Sequence, residues 1–167
     1  MTSFKRAFMT SFACLCFSVT AFAQTWPQRA IKVIAPYPPG GPSDIVIRTV
    51  SDKVQAALKQ AVIIENIPGA GGNIGSAAAA RAAADGYTWL ITTDTVMTVN
   101  PHVYKNMGFK LDDLKPVSIL TSFSQTLVCN PALGVKNLNE LIAKSKTQSL
   151  SYASGGAGVP GHLSMEL

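Results

Sequence analysis

The chain has 167 residues, fourteen basic against nine acidic side chains, a formal net charge of +5 and three cysteines. The basic residues are scattered singly, without a Lys/Arg run or interleaved aromatics, so the composition argues against a nucleic-acid binder. Too few cysteines and histidines are present for a disulfide-rich scaffold or a thiolate metal centre.

Lys5 and Arg6 precede an apolar stretch from Ala7 to Phe22 that ends in Ala21-Phe22-Ala23. This is the pattern of a secretory signal peptide over residues 1–23, cleaved before Gln24 and directing the product to the periplasm. The apolar stretch is short for a membrane span, and Thr25-Trp26-Pro27-Gln28 is not a stop-transfer flank. Neither Cys14 nor Cys16 follows a good lipobox. Cleavage leaves Cys129 as the single cysteine and lowers the net charge to +3, since Lys5 and Arg6 depart. Residues 24–167 are long enough to bury about two-thirds of their unfolded surface.

Downstream, strands alternate with helices. Ile31 to Ala35 is a β-branched run stopped by Pro36. Ser43 is a candidate N-cap for a helix from Asp44 to about Lys59, whose Val46, Val50, Val54 and Leu58 form an apolar stripe. Val62 to Glu65 is a second strand, and a glycine-rich loop leads to a helix from Asn73 to Ala84. Gly86 is expected to supply the left-handed position that ends it. Tyr87 to Thr93 is a third strand. The order implies an α/β fold with a parallel sheet.

Later, Val117–Ser122, Thr126–Asn130 and Leu150–Ser154 read as strands, and Asn137 caps a short helix. A second glycine-rich loop, Gly155 to Gly161, opens a helix at His162 that runs to the last residue, Leu167. Six residues are marginal as a helix alone, so the chain is expected to stop within an element.

In an open parallel sheet, ligands bind beyond the carboxyl ends of the strands, where loops enter helix N-termini. Free amides there attract anions, and glycine allows close approach. The stretch "PYPPGGPSD" at Pro36 to Asp44 fits either a stiffened anion-binding loop, presenting the amides of Gly40, Gly41 and Ser43, or an ordinary strand-to-helix turn. A Walker loop is excluded, because neither glycine loop is followed by Lys-Ser/Thr. "PGAGGNIG" at Pro68 to Gly75, with Asp94 after the next strand, is a variant dinucleotide fingerprint, weak alone and at odds with export. Ser154 lacks the first glycine of a nucleophile elbow. His102 and His162 are too few for a triad or zinc site.

The leader, Trp26-Pro27, "IKVIAPYPPGGPSD", "VIIENIPGAGGNIG", "ADGYTWLI", "NPHVYKN" and "SYASGGAGVPGHL" occur together in this order. On these motifs, from Gln24 to Leu167, the chain resembles the periplasmic receptors of tripartite tricarboxylate transporters, the Bug-type solute receptors. The resemblance implies a type II periplasmic-binding-protein-like fold: two α/β lobes enclose a small carboxylate, held by backbone amides and ordered water. It implies delivery to a tripartite tricarboxylate-type membrane permease, with no cofactor, metal, nucleic acid or catalysis.

Carried over residue by residue, the resemblance places the first-lobe ligand loop at Tyr37 to Asp44. Gly40, Gly41 and Ser43 hold a carboxylate, Tyr37 forms a cleft wall or part of the core, and Asp44 orders the loop, compensates the helix dipole or binds a ligand amine or hydroxyl. The Gly71-Gly72-Asn73 turn, Thr93 and Asp94 line the same lobe, and Asn73 has N-capping as its plainer role. Ser154, Gly155, Gly158 and His162 contact the ligand from the second lobe. The implied layout is a first lobe at 24–116, crossover strands at 117–130 and the start of an incomplete second lobe at 131–167. Family members are much longer, so a C-terminally truncated receptor is expected. The alternatives are a non-binding fragment, or an exported Rossmann-like or hydrolase-like enzyme.

Overall fold

The computed structural model describes residues 25–166; the leader reading lies outside them. Three parallel strands form one sheet in the order β2-β1-β3, with β1 at Ile31–Ala35, β2 at Val62–Asn66 and β3 at Thr88–Leu90. Helix α1 (Pro42–Leu58) links β1 to β2, and α2 (Asn73–Ala80) lies between β2 and β3. This is the expected α/β layer with a parallel sheet.

β1 is the central strand, and four of its five residues are buried. A strand flanked on both sides and covered on both faces has to be apolar nearly throughout. Ile31 and Val33 pack with Ile47 of α1, and Val50, Leu58, Val62, Ile64, Tyr87, Trp89 and Ile91 surround them. The exception is Lys32, which reaches the solvent edge and pairs with Glu65 of β2.

The buried face of α1 is centred on Ile47 and Ser51 rather than on Val46. Strict four-residue spacing rotates about 40° per step around a 3.6-residue helix, so Val46 and Leu58 cannot share one narrow stripe. The helix begins at Pro42, with Gly41 as N-cap, instead of being capped by Ser43. Proline is preorganised for the first helical position, which moves the start upstream. Likewise, α2 stops at Ala80, and Gly86 lies well beyond its end. There Gly86 packs beneath the Trp26 ring. Trp26 also packs against Tyr87 and Trp89, fastening the N-terminal segment to β3.

The later strands expected at Val117–Ser122, Thr126–Asn130 and Leu150–Ser154 do not form. Residues 117–130 are exposed throughout, with Val117 at 96% and Val128 at 81%. An alternating apolar pattern makes a strand only where a neighbouring ladder satisfies its backbone, and among the described residues none lies alongside. Short helices α3 (Thr95–Thr98), α4 (Asn100–Val103), α5 (Leu138–Ser145) and α6 (Pro160–Glu166) complete the chain. Asn137 caps α5 as expected, its side chain accepting from the amide of Glu140 at 3.0 Å.

α2 packs on the end of β1 through Gly75. A β-carbon at Gly75 would lie 2.7 Å from the Ile67 carbonyl oxygen and 2.7 Å from the Pro36 ring. Both neighbours belong to backbone held by the sheet, so they cannot move aside cheaply. Alanine at this position gains about 1 kcal/mol of helix propensity, against an overpacking cost of about 1–3 kcal/mol. Gly75→Ala is therefore expected to lower the melting temperature by a few degrees in thermal unfolding followed by circular dichroism. A melting temperature equal to or above that of the unmodified chain would contradict the close approach.

Candidate functional site

The parallel register places Ala35 beside Asn66 and Ile34 beside Leu90. The loops that leave the three strands therefore start next to one another at one edge of the sheet. They carry most of the candidate residues.

The loop after β1 is fixed by one carboxylate. Asp44 is 3% exposed. Its Oδ2 accepts from the Gly40 amide at 2.9 Å and from Arg48 Nε at 2.8 Å. Its Oδ1 accepts from Asn66 Nδ2 at 3.0 Å, and the same nitrogen donates to the Tyr37 carbonyl at 3.1 Å. Arg48 also donates to Asn66 Oδ1 at 3.2 Å. Asp44 and Asn66, braced by Arg48, thus hold both ends of the Tyr37-to-Gly40 stretch. The hydrogen bond from Arg48, then that from Gly40, holds the Asp44 carboxyl far below the usual carboxylate range, against the opposing effect of burial.

This arrangement settles what each loop residue has left to offer. The Gly40 amide is engaged by Asp44, and the Gly41 amide points to the Pro38 carbonyl at 3.3 Å. Asp44 has its oxygens engaged and is a loop-ordering residue in this geometry. The first-turn amides of Ser43 and of Asp44 find no acceptor among the described residues, because the N-cap Gly41 has no side chain to supply one.

Tyr37 turns toward the loop after β3. Its hydroxyl lies 2.5 Å from Thr93 Oγ1, which lies 2.7 Å from Thr95 Oγ1. A β-carbon on Gly72 would meet the Tyr37 hydroxyl at 3.1 Å. Tyr37, Gly72 and Thr93 are therefore brought together. Asp94 is exposed and makes no side-chain cap to α3. Asn73 is turned away: it is 3% exposed, and its Oδ1 accepts from Asn100 Nδ2 at 2.8 Å. It lines a shallow pocket with Ile74, Ala77, Arg81 and Met107. Nor does its side chain cap α2.

In the second glycine loop, Ser154 and Gly155 are exposed, and the Ser154 hydroxyl reaches only the Gly156 backbone, at 3.4 Å. His162 Nδ1 accepts from the Gly158 amide at 3.4 Å. Ser154 and His162 make no hydrogen bond to each other. Gly158 alone among these residues reaches the loop between β2 and α2, against Gly71 and the ring of Tyr104.

Sequence reasoning missed Asn66, Arg48, Asn100 and Tyr104. Asn66 was findable, since a parallel β1–β2 pair puts the end of β2 beside the start of the loop. Arg48 was findable as the i+4 neighbour of Asp44. Asn100 and Tyr104 lie within the NPHVYKN motif, but their partners are far away in sequence, and nothing local marks what they touch.

The Asp44 network sets an expectation for stability. Asp44→Asn retains the shape but weakens charge-assisted bonds worth about 1.5–3 kcal/mol each. Arg48 is half-exposed, and water screens its share. The variant is expected to melt several degrees lower at pH 7. Because folding depresses this pKa, the Asp44 contribution is complete above the unfolded value of about 3.9 and is lost as the pH falls below it. The gap between the two proteins should therefore shrink from pH 5 toward pH 2, measured by thermal melting; a gap independent of pH would count against it.

A family model described as "Tripartite tricarboxylate transporter family receptor" matches residues 46–167. A UPF0065 protein of Bordetella pertussis is 38% identical over 161 residues, covering 95% of this chain and 50% of the relative. Protein BugT of the same organism is 38% identical over 149 residues, covering 87% and 46%. The chain spans about half the length of the curated relatives it matches. A solved structure described as "R. palustris Rpa4515 with adipate" matches with a TM-score of 0.68 at 28% identity, over 84% of this chain and 48% of that one. With its parallel sheet, its two glycine loops and these matches, the chain belongs to the tripartite tricarboxylate transporter receptor family.

Proposed function

We propose that this chain forms the ligand-gathering part of an exported solute receptor for a small carboxylate, handed on to a tripartite tricarboxylate-type permease. The observation that supports the reading best is the open N-terminus of α1. Its Ser43 and Asp44 amides find no acceptor among the described residues, and a helix start of this kind favours an anion. Next to it in the fold, the hydroxyls of Tyr37, Thr93 and Thr95 form a connected polar row. Hydroxyls and amides without a base–nucleophile pair suit binding rather than turnover. The solved neighbour holding adipate suggests a dicarboxylate as the first ligand to try.

In this reading, residues 24–116 are the first lobe, 117–130 the crossover and 131–167 the start of the second lobe. The leader at 1–23 accounts for export to the periplasm. Ser43, Tyr37, Gly72 and Thr93 contact the ligand from the first lobe, and the loop of Ser154, Gly155, Gly158 and His162 approaches from the other side. Gly40, Gly41 and Asp44 shape the first loop, and Asp94 and Asn73 lie at its margins.

Among the described residues after Asn100, only Gly158 is buried. The second half of the polar shell is accordingly held loosely, and weak binding follows. Calorimetry on the secreted chain is expected to give adipate a dissociation constant in the millimolar range, about 4 kcal/mol or less. The uncharged analogue 1,6-hexanediol should give no heat beyond dilution, and Tyr37→Phe should weaken adipate further. Equal binding of the diol, consumption of adipate, or no response to any di- or tricarboxylate at tens of millimolar would overturn the proposal.

A further inference from the structure

We infer that the Asn100–Tyr104 turn is a clamp that seats the second glycine loop on the first, with Tyr104 as the positioning residue. The turn is closed by the Tyr104 amide donating to the Asn100 carbonyl at 2.9 Å. From its base, Asn100 is fully buried and donates through Nδ2 to the Gly71 carbonyl at 3.0 Å and to Asn73 Oδ1 at 2.8 Å. One side-chain amide thus pins the Gly71-Gly72 turn to the start of α2. From its end, the Tyr104 ring lies against Gly71, where a β-carbon would sit 2.8 Å from the hydroxyl. The same hydroxyl meets Gly158 still more closely and donates to the Ala157 carbonyl at 3.4 Å.

Two observations single this contact out. Between Asn100 and the end of the described chain, Gly158 is the only buried residue, although apolar side chains such as Val117, Ile119 and Val128 stand open to water. The burial is therefore local to Tyr104 and Gly71, and general compaction of the segment does not account for it. In addition, glycine stands at both positions facing the hydroxyl, and a methyl group at either one would intrude on it. A tyrosine wedged between two glycines fixes how closely the two backbones approach. This spacing is independent of which solute the loops receive, and it goes beyond the carboxylate reading.

The test uses amide hydrogen exchange, without ligand, on the full secreted chain and four variants. In Gly158→Ala the added methyl collides with the Tyr104 hydroxyl, so exchange at residues 156–159 should rise roughly tenfold or more while β1 amides stay protected. Gly156→Ala is the control for backbone strain, since Gly156 also has positive φ (130°) but open space around it; it should leave Gly158 unchanged. Tyr104→Phe removes the hydroxyl and keeps the ring, and should raise exchange only a few-fold. The decisive variant combines Gly158→Ala with Tyr104→Phe: deleting the colliding oxygen should restore most of the protection that the methyl removes. Equal effects of the two glycine substitutions, or no rescue in the double variant, would overturn the clamp. All three substitutions lie outside the sheet, and β1 protection reports that the first lobe is folded in each of the four variants.

Discussion

Everything at the candidate site hangs on the Asp44 carboxylate. A buried anion is costly unless its oxygens are satisfied, and here the Gly40 amide, Arg48 and Asn66 satisfy them. The same bonds immobilise a loop of prolines and glycines that has no secondary structure of its own. Once that loop is fixed, Tyr37 has a defined direction, and its hydroxyl finds Thr93 at the mouth of β3. The loop after β1 and the loop after β3 are thereby coupled through side chains anchored in a single sheet. The charge is spent internally, and what it leaves open are neutral amides at the start of α1.

The strongest features of the fold were legible because they are local and repetitive. Ile31 to Ala35 reads as a buried strand from its β-branched run, and Asn137 reads as a cap from the helix behind it. The loops after β1 and β2 could be placed at strand ends from element order alone, whereas the strand expected ahead of the Gly155–Gly161 loop does not form. Residues 117–130 were misread for a physical reason. Val117, Ile119 and Val128 have strand chemistry, but a strand is a relationship between two segments, and a sequence window holds only one of them.

The site was legible in position more than in role. Gly40, Gly41 and Ser43 were grouped as three equivalent amides, yet the structure separates them. The Asp44 side chain folds back onto Gly40, Gly41 faces Pro38, and the amide of the buried Ser43 is left without an acceptor among the described residues. The resemblance places Asn73 in the ligand turn with Gly72, but one residue further along a helix start rotates the side chain by about 100°. It then meets Asn100 instead. Aligned motifs locate a loop; its hydrogen-bond partners decide which atoms remain available.

The open run from Val117 to Val128 is bracketed by Lys115-Pro116 on one side and Pro131 on the other. Uncovered segments of high β-propensity are templates for intermolecular sheet growth. Proline cannot donate to a ladder and lysine opposes stacking, so residues of this kind act as gatekeepers against aggregation. The bracketing limits the sticky register to little more than a dozen residues. On these principles the bracketing disfavours growth of an intermolecular sheet beyond that short run.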